Sequence, residues 1–233
     1  MGYPWRLNPT PYRDARFRQE AENLYQQLMI AVNRGDLVRA EPIRLELFNL
    51  KLVGWVLPWL TVDKRLAFDD RLASLEIIFT KQEGSSAALF VPAISSQPMA
   101  IVLYGVDKNE LTLDNDDYLR NCLIHEFIHL LDYLRYDRLF KYLPATHPDY
   151  YHSPAEFNAY YQAGFSKLEH ELHRLVDSGN ILQVEELLRW ETLRNKLTYF
   201  WNKEFLESIQ HSAKWNRFVR RVRDGLSLLQ GQV

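Results

Sequence analysis

Between residues 75 and 104 the chain changes its hydrophobic period, and this limits the possible folds more than any other feature. Leu75 to Thr80 (Leu-Glu-Ile-Ile-Phe-Thr), Ala87 to Val91 and Ala100 to Tyr104 (Ala-Ile-Val-Leu-Tyr) are apolar runs too short for helices. Gly84-Ser85-Ser86 reads as a turn, Pro92 to Pro98 as a loop, and Gly105 closes the third run. Spacings this short predict a small, largely antiparallel sheet. On both sides the apolar residues return to helical spacing. Tyr12 to Asn33 carries Phe17, Ala21, Leu24, Leu28 and Ala31 on one face, with Gly35 as its stop. Pro42 to Val53, with Pro42 in the first turn and Gly54 past the end, predicts a second helix.

Beyond the sheet, Asp114 is placed to cap a helix running to about Arg138, with Asp116 and Asp117 in its favourable first turn. Ser153-Pro154-Ala155-Glu156 opens another helix that Gly179 ends. Ile181 to Leu229 is helical again, with a break near His211-Ser212. Helices, a small sheet, then helices is the α+β order. We expect a single domain over 1–233, with a helical N-terminal region (1–70), a core (71–180) and C-terminal helices (181–233).

Composition removes several classes of function. The formal net charge of -2 offers no basic face for nucleic acid. One cysteine, Cys122, excludes an intrachain disulfide framework and a cysteine-based zinc finger. Met1 to Pro11 has no apolar segment of the signal-peptide kind. The longest apolar stretch, Leu52 to Leu60, is broken by Gly54 and Pro58 and is far too short to span a bilayer. The expectation is a cytoplasmic protein with no membrane and no nucleic-acid partner.

The chemistry concentrates in His125-Glu126-Phe127-Ile128-His129, inside a predicted helix. Residues four apart share a helix face, so both imidazoles can reach one ion, and Glu126 stands beside them as general base. Zinc lowers the pKa of a bound water to about 7, within reach of a carboxylate base. The rival reading, two ordinary helix histidines, must explain polar groups on a face otherwise built from Cys122, Leu130 and Tyr133. A catalytic zinc site needs a third protein ligand. The candidates are Asp132, His147, Asp149, His152 and Glu156, of which Glu156, near the start of the next helix, is preferred. It has a competing role, because Ser153-x-x-Glu156 is a capping box with Pro154 at the first helical position. Asp132 shares the histidine face and suits a carboxylate that orients a ligand imidazole. Tyr150 and Tyr151 are candidates to donate a hydrogen bond to an oxyanion. The Ala87 to Val91 strand offers an edge on which an extended peptide could lie. His170 and His173 lack the spacing and sit on a charged helix, as surface residues do. Trp190 to Phe205 reads as core.

Ile124-His125-Glu126-Phe127-Ile128-His129-Leu130-Leu131-Asp132 followed by Pro154-Ala155-Glu156-Phe157-Asn158-Ala159 resembles the gluzincin peptidases. Within them it is most similar to the Mlc titration factor A family and the catalytic domain of anthrax lethal factor. Pro98 to Leu103 is similar to the strand before the family's active-site helix, and Trp215-Asn216-Arg217-Phe218 to its closing helix. The resemblance implies a zincin-like fold, with zinc held by His125, His129 and Glu156 and peptide hydrolysis using Glu126 as base. It also implies a transition-state tyrosine shortly before the third ligand. That position falls on Asp149, with Tyr150 one place later. The link from His129 to Glu156 is shorter than in the family, and the first 70 residues match nothing in it. The expected activity is a zinc-dependent metallopeptidase acting on a peptide or protein substrate. The alternative is a catalytically weak or inactive metal-binding regulatory protein on the same fold.

Overall fold

The computed structural model describes residues 11–33, 43–46, 74–80, 88–92, 99–105, 117–136, 143 and 145–231. It is a mixed α+β structure with two compact units, Gln19–His147 and Met1–Arg18 together with Pro148–Val233. Helix α1 (Pro11–Asn33) runs through the boundary at Arg18.

The unit Gln19–His147 holds the sheet. Its strands are β1 (Ile43–Glu46), β2 (Ser74–Thr80), β3 (Ala88–Val91) and β4 (Met99–Tyr104), in the order β1-β2-β4-β3. β1 pairs antiparallel with β2 and β3 antiparallel with β4, but β2 and β4 at the centre are parallel, with Ile77 opposite Ile101. The sheet is therefore mixed, and the chain must cross over between β2 and β4. Burial alternates along much of the sheet, except at the start of β4, where Met99, Ala100 and Ile101 are all buried. Leu75 and Ile77, Ala88 and Phe90, and Ile101 and Leu103 are buried, whereas Glu76, Leu89 and Val102 are not. Gly105 ends β4 at φ 66°, a left-handed turn suited to glycine.

Strand β1 corrects the helix expected over Pro42 to Val53. Ile43-Arg44-Leu45-Glu46 alternates apolar and charged residues with period two, and its register sets Arg44 opposite Glu76. Pairing with β2 supplies the backbone hydrogen bonds that a helix would have supplied locally. Residues 47–53 lie outside the described residues, as do the Gly35 stop, the 84–86 turn and the Asp114 cap.

Helix α2 (Asp117–Tyr136) packs on β3, where Phe90 and Tyr133 bring their rings within 5.7 Å. Leu123, Ile124, Phe127, Ile128, Leu130 and Leu131 are buried along it, each contributing about 1.5–3 kcal/mol by leaving water. An Arg120–Glu22 ion pair ties α2 to α1, and the Arg120 guanidinium lies 5.7 Å from the Tyr25 ring.

The other unit is helical: α3 (Pro154–Asp177), α4 (Ile181–Leu187), α5 (Trp190–Leu193), α6 (Leu197–Phe200), α7 (Lys203–Ile209) and α8 (Ala213–Gln230). Its α3 stops as expected at Gly179. Asn180 N–H reaches Leu175 C=O at 2.8 Å and Gly179 N–H reaches Val176 C=O at 2.9 Å, with Gly179 at φ 75°. The break near His211-Ser212 is also present, since the Ser212 hydroxyl caps α8 by accepting from Lys214 N–H at 3.2 Å. The short helices between Trp190 and Phe200 were not separated by the apolar pattern, because all of them feed one core containing Leu193, Leu197, Phe200, Trp201 and Phe205.

Two glycines set the approach of that core. A Cβ on Gly164 would overlap the Trp201 indole, and one on Gly225 would meet the Phe165 ring. Trp201 Nε1–H donates to Tyr161 C=O at 3.1 Å, and the Tyr161 hydroxyl donates to Arg221 C=O at 3.1 Å. Arg221 is buried and holds Asp14 and Asn158, each at 3.0 Å, under the ring of Tyr161. Arg18 holds Glu169 and Gln162 in the same way, against Phe165. These pairs fix the start of α1 to α3 and α8 within the unit.

Candidate metal and catalytic residues

His125 and His129 stand one helical turn apart on α2, in the middle of its buried face. Their Nε2 atoms are 3.0 Å apart and their rings cross at 82°. Two nitrogens bound to one zinc ion at about 2.05 Å in a tetrahedral site lie about 3.3 Å apart, so this pair is close to the spacing that shared coordination needs. His129 is only 2 % exposed, and burying an imidazole that deep costs free energy unless its ring nitrogens find partners.

Glu126 sits between them in sequence and is also buried. Its Oε2 accepts from the backbone N–H of Phe90 at 2.7 Å. β3 lies at the end of the sheet order, so one of its sides is paired to β4 and the other is not taken up by a described strand. The Phe90 N–H on that second side points to α2 and fixes the carboxylate. Asp132 is buried and lies three residues beyond His129 on the same helix. Cys122 is half-buried rather than fully enclosed.

In the helical unit, Glu156 is in the first turn of α3 and 4 % exposed. The capping rivalry is resolved by the backbone. The Ser153 hydroxyl accepts from Glu156 N–H at 3.1 Å, which is the first half of a capping box. The second half would have Glu156 accept from Ser153 N–H, but that N–H goes to Tyr150 C=O at 3.0 Å through a 3₁₀ turn, Tyr150–His152. The cap therefore uses the main chain of Glu156 and not its carboxylate.

The two tyrosines divide. Burial pushes the Tyr150 phenol far above its ordinary value, and the Glu156 charge and hydrogen bonding with Tyr160 and Glu156 push the same way. Tyr151 instead donates to Glu204 on α7 at 2.8 Å, and burial with that bond raises it to about 12. Of the remaining ligand candidates, Asp149 is exposed, His147 is half-buried, and the His152 ring meets the Ser208 hydroxyl at 3.2 Å. His170 and His173 are exposed, as their spacing suggested.

Among the described residues, His125, His129 and Glu156 are the buried donors that could together hold a metal ion. Two imidazoles and a carboxylate suit zinc, though this donor set does not by itself select it over neighbouring divalent metals. What sequence reasoning missed is the role of Phe90. Its contribution is a backbone N–H, which no residue type announces. No protein-family model, curated protein or solved structure matches the chain. Among the described residues no helix is long and apolar enough to cross a membrane.

Proposed function

We propose that this chain is a zinc-dependent metallopeptidase of the gluzincin kind, with a zincin-like fold. One observation carries the reading: two buried imidazoles with Nε2 atoms 3.0 Å apart, and between them in sequence a buried carboxylate tethered to an edge strand. A metal-binding helix without catalysis needs the imidazoles but not the tethered Glu126.

In this reading His125, His129 and Glu156 hold the metal. When bound, zinc supplies a Lewis acid that polarises the substrate carbonyl and makes water acidic near neutral pH. Glu126 takes the proton of the attacking water on the oxygen not held by Phe90 N–H, and passes it to the leaving amine. Asp132 accepts a ring N–H from a ligand histidine and so fixes its tautomer. Tyr150, kept protonated by burial and by Glu156, donates to the developing oxyanion. Tyr151, engaged with Glu204, supports the turn. The substrate is an extended peptide lying along β3, and the protein works without nucleic acid or membrane.

The test is metal content by mass spectrometry together with peptide turnover. The wild type should carry about one zinc per chain. His129→Ala should lose it, and Glu126→Gln should keep zinc while losing hydrolysis. A wild type that takes up no metal when supplied with zinc refutes the site. A Glu126→Gln variant that still cleaves refutes the base.

A further inference from the structure

Lys214 and Arg217 stand one turn apart on α8, both half-buried. Their cationic groups lie 5.4 Å and 5.3 Å from the centroid of the same ring, that of Phe157. Lys214 also donates to the carbonyl of His152, the last residue of the turn that carries Tyr150. Phe157 directly follows Glu156. The pair therefore borders the turn and the helix start on which two of the proposed site residues sit.

The surroundings offer these charges little compensation. Neither cation is in ion-pair contact with a carboxylate of a described residue. The charged groups whose fields reach them are Arg220, Arg221, Asp14 and Asp149. Asp14 is already held by Arg221, and Asp149 is exposed. The first turn of α8 contains no acidic residue, and the positive end of a helix macrodipole disfavours cations there. Burial lowers the pKa of both groups; the Arg217 charge adds to this for Lys214, and the Arg221 and Arg220 charges add to it for Arg217. Two desolvated like charges one turn apart weaken a fold, and an anion between them would relieve the cost.

We propose that Lys214 and Arg217 form a subsite for a carboxylate carried by the peptide substrate, either its terminal carboxylate or an acidic side chain. This rests on the peptidase reading for the identity of the ligand, while the anion site itself stands on the residues above. The ammonium supplies a point charge and the guanidinium a planar fork, and both approach the buried Phe157 ring. The reading names a substrate class, peptides with a negative charge near the scissile bond, that the metal-binding motif does not specify.

Binding is measured by isothermal titration on Glu126→Gln protein, so that peptides are not cut. The probes are a blocked alanine tetrapeptide as free acid and as amide, the same peptide amide with one internal Glu or Gln, and inorganic phosphate. We expect a preference of about tenfold or more for one charged peptide over its neutral match. The preference should fall with added salt and collapse in Lys214→Met/Arg217→Met. Should the double variant not fold, Arg217→Gln alone should reduce it. Acid over amide identifies a terminal carboxylate, and Glu over Gln an acidic side chain. Equal affinity in both matched pairs overturns the proposal, as does a preference that survives the double variant. Phosphate binding without any peptide preference also overturns it, by showing a site for small anions. Failure of the peptidase reading shows separately, as absent hydrolysis by zinc-loaded wild type.

Discussion

Glu126 carries two separable duties, and two substitutions at this one position pull them apart. Its Oε2 accepts from Phe90 N–H at 2.7 Å in a buried setting. A hydrogen bond to a charged acceptor contributes about 1.5–3 kcal/mol net, against about 0.5–1.5 for a neutral one. Glu126→Gln keeps an acceptor oxygen in reach of Phe90, so it should cost about 1 kcal/mol. Glu126→Ala removes the acceptor and leaves that buried N–H to bear its own desolvation, for a total of about 3 kcal/mol. In a chain of this size each kcal/mol shifts Tm by about 2–4 °C, so thermal unfolding should rank wild type above Gln and Gln above Ala. Hydrolysis should behave differently. Both variants lack the base, and both should fall about a hundred- to ten-thousandfold in kcat. Equal melting of Gln and Ala would show that the β3 tether does not hold the carboxylate. Residual activity that tracks stability, rather than dropping equally, would show that Glu126 is structural and not the base.

Further outcomes follow from the same structure. Tyr150→Phe should lower kcat with zinc content unchanged, whereas Tyr151→Phe, which loses only its bond to Glu204, should leave kcat within about threefold. Parallel kinetics for the two variants would refute the division between them. Gly164→Ala should destabilise by about 1–3 kcal/mol in a melting experiment, because overlap with the buried Trp201 ring outweighs the helix-propensity gain of alanine. A more stable variant would refute the close approach. Burial, with Arg217 adding, lowers the Lys214 amine from 10.5 to about 8. The unfolded chain then holds this proton more tightly, so stability rises with pH above about 8 and is lost again as pH falls through it. Chemical unfolding between pH 7.5 and 9.5, below the ordinary tyrosine range, should show this rise in wild type and a flatter profile in Lys214→Met.

Legibility in the sequence followed the range of the forces involved. Helices α1 and α3 and strands β2 to β4 were readable because periodicity and punctuation act over a few residues: Gly105, Ser153-Pro154 and Gly179 mark real boundaries. β1 was not, because Pro42 and Gly54 outlined a helix while the strand that pairs with it, β2, lies far along the chain. The parallel β2–β4 pairing was equally out of reach, since nothing local distinguishes it from a hairpin. At the site, His125, Glu126 and His129 announced themselves by spacing. The burial of Asp132, the Phe90 tether and the different bonding of Tyr150 and Tyr151 depend on backbone groups and on residues distant in sequence. The approach of Lys214 and Arg217 to the Phe157 ring, distant in sequence, was out of reach for the same reason.

The turn Tyr150–His152 shows why so short a segment carries so much of the site. Its first carbonyl accepts from Ser153 N–H, which completes the cap of α3 without the Glu156 side chain. Its first side chain is the phenol that burial and the Glu156 charge keep protonated, and its last carbonyl accepts from Lys214. A residue that both capped the helix and bound a metal would have to choose between two partners for the same oxygens. Moving the cap's second bond onto the main chain removes that conflict, and the cost is one tight 3₁₀ turn with few side-chain demands. The consequence is that the turn's backbone, more than its residue types, sets the position of the carboxylate. Replacing Ser153 by Ala should therefore cost about 1 kcal/mol of stability, and it should also weaken metal retention, although Ser153 offers the metal nothing. A Ser153→Ala variant with lowered Tm but unchanged zinc affinity in a chelator competition would refute the coupling between cap and ligand.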